Sequence, residues 1–358
     1  MPDVDILIAG AGIAGASAAL TLSVDRDVLV LDAERPAAGA SGAAAGLVNP
    51  LMGRKAKAVW RIGAALDAFD ALLDEAHAPS VFSGGGVLRP AVTDKQVAFF
   101  QDAAERHHAF AQWLPAEAVR ERFPDVATAG GALHIPRGGA ADVPAFVNAL
   151  LAAAEERGAT VQSGARVTGW DESGDSVRVE VARNEATSTI TTDRLLLAVG
   201  QGFPSLPPLE ALGLYGVKGQ TLRVQRPDGL GPLLPMSGRG YVVPDGDTLI
   251  LGSSYEHDFD DLAPSDEATQ YIRKKTAQML PGIEAAPVLD VKVGVRVYAP
   301  DSNLPVVGPL PEHSRCWVFT GLGSKGLLTA PLIARSLPDV LANPAQIPAA
   351  LHVPGAGS

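Results

Sequence analysis

VDILIAGAGIAGASAALTLSVDRDVLVLD, residues 4–32, is the stretch whose reading decides the fold. Val4–Ala9 is a short apolar run ending at a glycine cluster, residues 16–22 are rich in helix formers, and Val28–Leu31 is a second apolar run. Strand, tight turn, helix and strand within about 30 residues make one βαβ unit. Gly10, Gly12 and Gly15 sit at the turn in the GxGxxG spacing. The first glycine permits the turn, the second lets the backbone approach a pyrophosphate at the helix N-terminus, and the third lets helix and strand touch. Asp32 ends the second strand, where a carboxylate accepts hydrogen bonds from ribose hydroxyls. The motif reads as dinucleotide binding and leaves NAD and FAD both open.

Outward from this unit, the 358 residues suit about two domains of the usual ~150 residues. Glycine (38) and proline (28) together stay below the ~25–30% that marks low-complexity disorder, so a packed globular chain is expected. A net charge of −11 repels nucleic acid overall, which leaves only a local basic patch to bind it. A single cysteine, Cys316, excludes an intrachain disulfide framework and fits a reducing compartment. The start carries Asp3 and Asp5 and no Lys or Arg, unlike a signal peptide, and no run of ~18 apolar residues follows. The expectation is a cytoplasmic protein without a membrane span.

The Gly/Ala/Ser-rich segment 37–46 cannot pack a core through side chains and reads as a close backbone approach to a ligand, or as a plain loop. Helical spacing recurs at Ile62, Leu66, Phe69 and Leu73, and at Val97, Phe100, Ala104 and His108. His107 and His108 are adjacent on that polar helix and read as structural. Asp142 caps a helix with Pro144 in its first turn, ending near Gly158. Val177, Val179 and Val181 alternate, and Leu195–Leu197 runs apolar into Gly200. Strand-like segments at 221–224, 241–243, 249–251 and 291–297, broken by a helix near 267–280, form a β-rich insertion. Strand, glycine loop and helix return at 317–320, 321–326 and from Leu327. The loop GLGSKG (321–326) reads equally as an anion-facing helix N-terminus with Lys325 and as an ordinary glycine turn with Lys325 in solvent. Arg54 and Lys55 either reach a ligand or lie solvated. Tyr255, Glu256 and His257 are expected at the surface rather than lining a pocket mouth. No metal-ligand spacing and no GxSxG elbow is present.

GAGIAG with Asp32, GASGAAAGLVNPL, GVKGQTLRV, GYVVP through LILGSSYEHDF, GVRVYAPDSNLPVVGP and GLGSKGLLTAP occur in an order similar to the D-amino-acid oxidase (DAO) superfamily of flavoproteins, in particular its glycine-oxidase branch. Two of these segments also resemble the flavin domain of the bifunctional enzyme that finishes 5-methylaminomethyl-2-thiouridine in tRNA. The resemblance implies a Rossmann-like FAD/NAD(P)-binding domain built from 1–55, 135–210 and 295–345. It adds a β-rich substrate domain, an antiparallel sheet plus helices, from 56–134 and 211–294, and a tail at 346–358. It implies non-covalent FAD contacted by Gly10, Gly12, Ile13, Ala14, Gly15, Asp32, Ala33 and Arg35, then by Ala40, Ser41, Gly46 and Leu47. Val167, Ala198 and Gly200 follow, with Gly321, Gly323, Ser324, Lys325, Gly326 and Leu327 in the last loop and Arg296 beside the cofactor.

The same resemblance makes Arg296 the grip on a substrate carboxylate, with a strand-pinning salt bridge as the structural alternative. Tyr241 becomes a pocket tyrosine or a core aromatic, and Lys325 a support for reduced flavin. The expected reaction removes a hydride from the α-carbon of a small amino acid or N-substituted glycine, to flavin N5, and water hydrolyses the imine. Two departures from sarcosine-oxidase relatives stand out. Arg296 replaces the cysteine that links flavin there, and Ile250 stands where a lysine speeds reaction with oxygen, so the electron acceptor is O2 or another oxidant. Alternatives are the same oxidation on a tRNA wobble uridine, and a flavin-binding protein without catalysis.

Overall fold

The computed structural model describes residues 3–184, 186–300 and 304–353. Residues 301–303, in the middle of the GVRVYAPDSNLPVVGP segment, and the tail beyond 353 lie outside these. Two eight-stranded sheets organise the described chain.

The first sheet carries a parallel core in the order Thr160–Gln162, Val28–Leu31, Val4–Ala9, Ala186–Leu197 and Cys316–Thr320. Val28–Leu31, most of Val4–Ala9, the 195–197 end of Ala186–Leu197 and Cys316–Thr320 are apolar runs because both faces are covered there. Ile6 and Ile8 face the helices Ile13–Leu22, Val143–Glu156 and Gly326–Ala334. Leu7 and Ala9 face the other way, against Val177, Val179 and Val181 of the hairpin Arg166–Ser173/Ser176–Arg183 and against Phe203 and Leu206. The expected strand–helix–strand start is present, with its helix at Ile13–Leu22. The helix at 143–156 starts where Asp142 predicts, its carboxylate accepting from the Ala145 amide.

The second sheet runs Val288–Tyr298, Tyr215–Gln225, Thr248–Gly252, Gly240–Asp245, Met236–Gly238, Val87–Pro90, Gly131–Ile135 and Gln112–Pro115. All pairs are antiparallel except Met236 with Leu88. Side chains alternate across it. Leu222, Val224, Leu249, Leu251 and Val242 pack on one face with Ile272 of the helix Asp266–Thr276 and with Met279 and Leu280. The opposite face, in register, presents Gly219, Thr221, Tyr241, Gly252 and Arg296.

One reading needs correction. The helix containing Val97, Phe100 and Ala104 spans Asp94–Arg106, capped by Thr93, so His107 and His108 lie past its end. The chain turns at His107, whose φ of −120° leaves the helical region, and the Phe110 and Ala111 amides bond back to the His107 carbonyl. No helix among the described residues is long and apolar enough to cross a membrane.

Candidate active site between the two sheets

The glycine turn is shaped by close backbone contacts. Gly10 has a φ of +107°, and a Cβ there would stand 2.4 Å from the Ala198 carbonyl oxygen. A Cβ on Gly15 would meet the Gly10 carbonyl oxygen at 1.8 Å. Gly12 differs: its nearest neighbour is Ser41 Oγ at 3.3 Å, so the backbone there is open to a ligand. Asp32 orders the turn from the next strand, accepting from the Ala11 amide at 2.8 Å and the Glu34 amide at 2.9 Å, and its carboxylate keeps further acceptor capacity. The Ile13 amide donates to Ser41 Oγ, whereas those of Ala14 and Gly15 lie in a first turn that offers no intrahelical acceptor.

A Cβ on Gly326 would meet Ile13 at 3.1 Å, so the N-termini of the helices Ile13–Leu22 and Gly326–Ala334 converge. Two positive helix ends and an open glycine backbone at the carboxyl edge of a parallel sheet fit the pyrophosphate and flavin of FAD. Lys325 caps the second helix, and burial lowers its pKa.

The 37–46 segment contains a short helix, Ala40–Ala43, that ties the cradle to the second sheet. Its Ser41 meets the first helix, its Ala43 carbonyl accepts from Thr221 Oγ1 and its Gly42 carbonyl from Lys292 Nζ. A Cβ on Gly294 would meet Ala43 Cβ at 2.8 Å. Gly46, at φ +73°, lies against the Ala141 carbonyl, where any Cβ would collide at 1.7 Å, and Leu47 pairs with Ala140. Ala198 adjoins Gly10, Gly200 begins the turn Gly200–Ser205, and Val167 is buried two residues beyond Ala165, whose amide donates to the Asp32 carbonyl. Ala33 is half-buried, whereas Arg35, Arg54 and Lys55 are exposed.

Arg296 lies half-buried on the face turned to this cradle. Its Nη2 donates to Ser253 Oγ at 2.7 Å and Nη1 to the Ser254 carbonyl at 3.4 Å, while its guanidinium lies 4.6 Å from the Tyr255 ring centre. No carboxylate among the described residues is within ion-pair distance of it, so the salt-bridge alternative has no partner there. Glu256, two residues past Ser254, is engaged by Lys218 and by Ser254 Oγ. Tyr241 fills the space above Gly252, where a Cβ would stand 2.3 Å from its hydroxyl. Burial pushes the Tyr241 hydroxyl up to about 12 against the pull of Arg296 and Ser253, so it stays protonated.

Tyr298 was not singled out from sequence. It follows Arg296 by two residues on one strand face, stacks on Tyr215 at 5.6 Å, and packs against Gly323 of the last loop. Burial raises its pKa, and a hydrogen bond with Ser324 opposes the rise. The i, i+2 spacing in RVY was the available signal. The structure also gathers Glu172, His313 and Cys316, which sequence spacing did not mark. That carboxylate is already engaged by the Ser314 amide and hydroxyl, the Arg315 amide and His313 Nδ1, and burial and Glu172 both push the Cys316 thiol up. The engaged carboxylate anchors the loop at 313–315 to the strand Arg166–Ser173.

The chain matches the family model described as "DAO: FAD dependent oxidoreductase" over residues 5–339. It is 29% identical over 350 residues to the tRNA 5-methylaminomethyl-2-thiouridine biosynthesis bifunctional protein MnmC of Maricaulis maris, covering 95% of this chain and 52% of that protein. It is likewise 29% identical over 360 residues to the glycine oxidase of Pseudomonas aeruginosa, covering 94% of each. The chain thus spans about half the length of the MnmC relative and nearly all of the glycine oxidase. Among solved structures, glycine oxidase from Geobacillus kaustophilus shares the fold with a TM-score of 0.83 at 23% identity, covering 96% of this chain and 95% of that one. Iminodiacetate oxidase from Chelativorans has a TM-score of 0.78 at 22% identity, covering 99% and 100%.

Proposed function

The chain belongs to the DAO family of FAD-dependent oxidoreductases, and we propose that it oxidises the C–N bond of a small amino acid or N-substituted glycine. The observation that carries this reading is Arg296: a half-buried guanidinium held by neutral serine oxygens, with no carboxylate of the described chain beside it. Its planar fork suits a bidentate substrate carboxylate. The glycine-oxidase relatives support the same substrate class.

FAD, held without a covalent link, supplies the hydride acceptor. Arg296 holds the carboxylate so that the α-carbon faces the cradle, and the neutral Tyr241 hydroxyl offers a hydrogen bond without bringing charge. Lys325 and the helix end at Gly326 stabilise negative charge placed against the 321–326 loop. No protein base is needed when the amine arrives neutral. In this proposal the cofactor domain is assembled from 1–55, 135–210 and 295–345, and the substrate domain from 56–134 and 211–294.

A second reading places the same oxidation on a tRNA nucleoside. It is favoured by the acid-free run 35–66, with exposed Arg54, Lys55, Lys57 and Arg61, and by the MnmC relatives. An anaerobic screen of amino acids, N-alkyl glycines and carboxymethylaminomethyl-uridine for flavin bleaching tests both. Bleaching by glycine or sarcosine supports the first, bleaching by the nucleoside alone supports the second, and bleaching by none overturns them.

A further inference from the structure

Four of the chain's five tyrosines gather at Arg296, which is far from an even spread over 358 residues. Tyr298 and Tyr215 form one stack, with rings 5.6 Å apart and 18° from parallel. Tyr255 and the Arg296 guanidinium form a second, 4.6 Å apart. Tyr255 neighbours both Tyr241 and Tyr298, and Tyr298 carries Tyr215 on its face. Each stack has an inner member that is half-buried and an outer one turned to solvent: Tyr215 is 43% exposed and Tyr255 55%.

The backbone that carries the outer ring of the second stack is held in place. Ser254 and Glu256, on either side of Tyr255, are stitched to the strand Tyr215–Gln225. The Gln220 amide donates to Ser254 Oγ, the Lys218 and Glu256 backbones exchange two hydrogen bonds of 2.9 Å, and the buried Lys218 ammonium lies 3.5 Å from the Glu256 carboxylate. A large aromatic residue pinned on both sides and yet exposed is not filling a core. Its backbone is fixed by its neighbours and its ring rests on the guanidinium, which leaves a flat face for a ligand at little backbone entropy cost.

Resting on the carboxylate role of Arg296, we infer that Tyr255 and Tyr215 form a subsite for a flat aromatic N-substituent, so that the preferred substrates are N-(arylmethyl)glycines rather than glycine itself. The carboxylate meets the edge of the guanidinium while the aromatic group extends outward over the exposed rings.

The test uses the FAD-loaded protein and two unreactive probes in which sulfur replaces the oxidisable nitrogen, benzylthioacetate and methylthioacetate. Binding is read from the change in the flavin visible spectrum. The benzyl probe is expected to bind roughly 2- to 12-fold more tightly, the worth of one aromatic stack. Tyr255→Ala or Tyr215→Ala should bring the two affinities together, and Tyr255→Phe should keep them apart. Equal affinities in the wild-type protein overturn the subsite, as does a preference that survives both alanine variants. Weakening of both probes by one factor in Tyr255→Ala also overturns it, because Tyr255 then only positions Arg296. Failure of either probe to bind, together with no bleaching by any amine, removes the carboxylate reading itself and the subsite with it. A uracil-5-ylmethyl probe separates the sources of the flat group: binding tighter than benzyl assigns the subsite to a nucleobase, and weaker binding to a hydrocarbon ring.

Discussion

A methyl group placed on Gly219 would stand 2.3 Å from Nη1 of Arg296. Gly219 opens the floor on which the guanidinium lies, and its partner in register on the neighbouring strand, Gly294, gives room to Ala43 instead. Because the obstructed atoms are the far end of a flexible side chain, Gly219→Ala displaces the guanidinium rather than the fold. We predict an about 10- to 100-fold loss of kcat/KM on carboxylate-bearing amines, the cost of misplacing a positioning group by about 1 Å. Thermal melting should move by only a few degrees and FAD content should hold. An unchanged kcat/KM would show that the guanidinium position is immaterial.

Removing the guanidinium itself is the stronger form of the same argument. Arg296→Met leaves the substrate carboxylate desolvated and unpaired, at a cost of about 2–5 kcal/mol, or roughly 30- to several-thousand-fold in kcat/KM. The protein should fold, because Arg296 gives up hydrogen bonds to Ser253 and Ser254 and no ion pair among the described residues. Steady-state kinetics beside a melting curve checks this. Full activity would move substrate recognition elsewhere, as a nucleoside held by outer contacts requires.

Tyr241 should contribute no titration to the working range. Burial is the first cause that pushes its hydroxyl up to about 12, so it keeps its proton well above pH 10. Tyr241→Phe is therefore expected to change the height of the kcat/KM–pH profile between pH 6 and 10 and not its inflections. An inflection that disappears in the phenylalanine variant would contradict this.

The parallel core was legible in sequence because buried runs such as VLVL and LLL, and the glycine spacing at 10, 12 and 15, are local signals. Half of the second sheet was legible as strands, those at 215–225, 240–245, 248–252 and 288–298, whereas the short strands at 87–90, 112–115, 131–135 and 236–238 carry no clear alternation and were not, and the shared face was legible in none. Which residues share the face of Arg296 depends on register, and a slip of one residue exchanges the faces. Thus Tyr298 went unremarked although it lies two residues from Arg296, and Tyr255 was expected at the surface. It is exposed, but it also lies over the guanidinium. The Glu172 cluster joins a strand at 166–173 to a loop at 310–315, and no spacing rule connects such distant segments.

Glu172 supplies a prediction about stability. Burial alone would raise its pKa, but hydrogen bonds from the Ser314 hydroxyl and amide, the Arg315 amide and His313 outweigh that and bring it to about 2. A carboxylate with a depressed folded-state pKa stabilises above its unfolded value near 4.5, and the stabilisation is lost as pH falls toward 2. Glu172→Gln should cost about 1–3 kcal/mol at neutral pH and flatten the decline in stability between about pH 4.5 and 2. Denaturant melts at pH 7, 4 and 2.5 measure it. A variant that keeps the wild-type pH slope would rule out this carboxylate as its source.

The last prediction concerns Lys325, at the cap of the helix Gly326–Ala334 whose N-terminus meets that of Ile13–Leu22. A cation and two positive helix ends favour a reduced, anionic flavin over the neutral oxidised one, which raises the midpoint potential. Lys325→Met should therefore lower that potential at pH 7 and weaken binding of sulfite, an anion that adds at flavin N5. The pH dependence gives the sign independently of the substitution. Burial lowers the Lys325 pKa, so the ammonium is present at low pH and is lost earlier than in an ordinary lysine as pH rises. The difference in potential between wild type and variant should be larger at low pH and shrink as pH rises and the wild-type lysine deprotonates. Spectroelectrochemical titration at several pH values decides the matter. A variant with the wild-type potential throughout would assign Lys325 to the architecture of the loop, and a difference that does not change with pH would assign the effect to packing rather than charge.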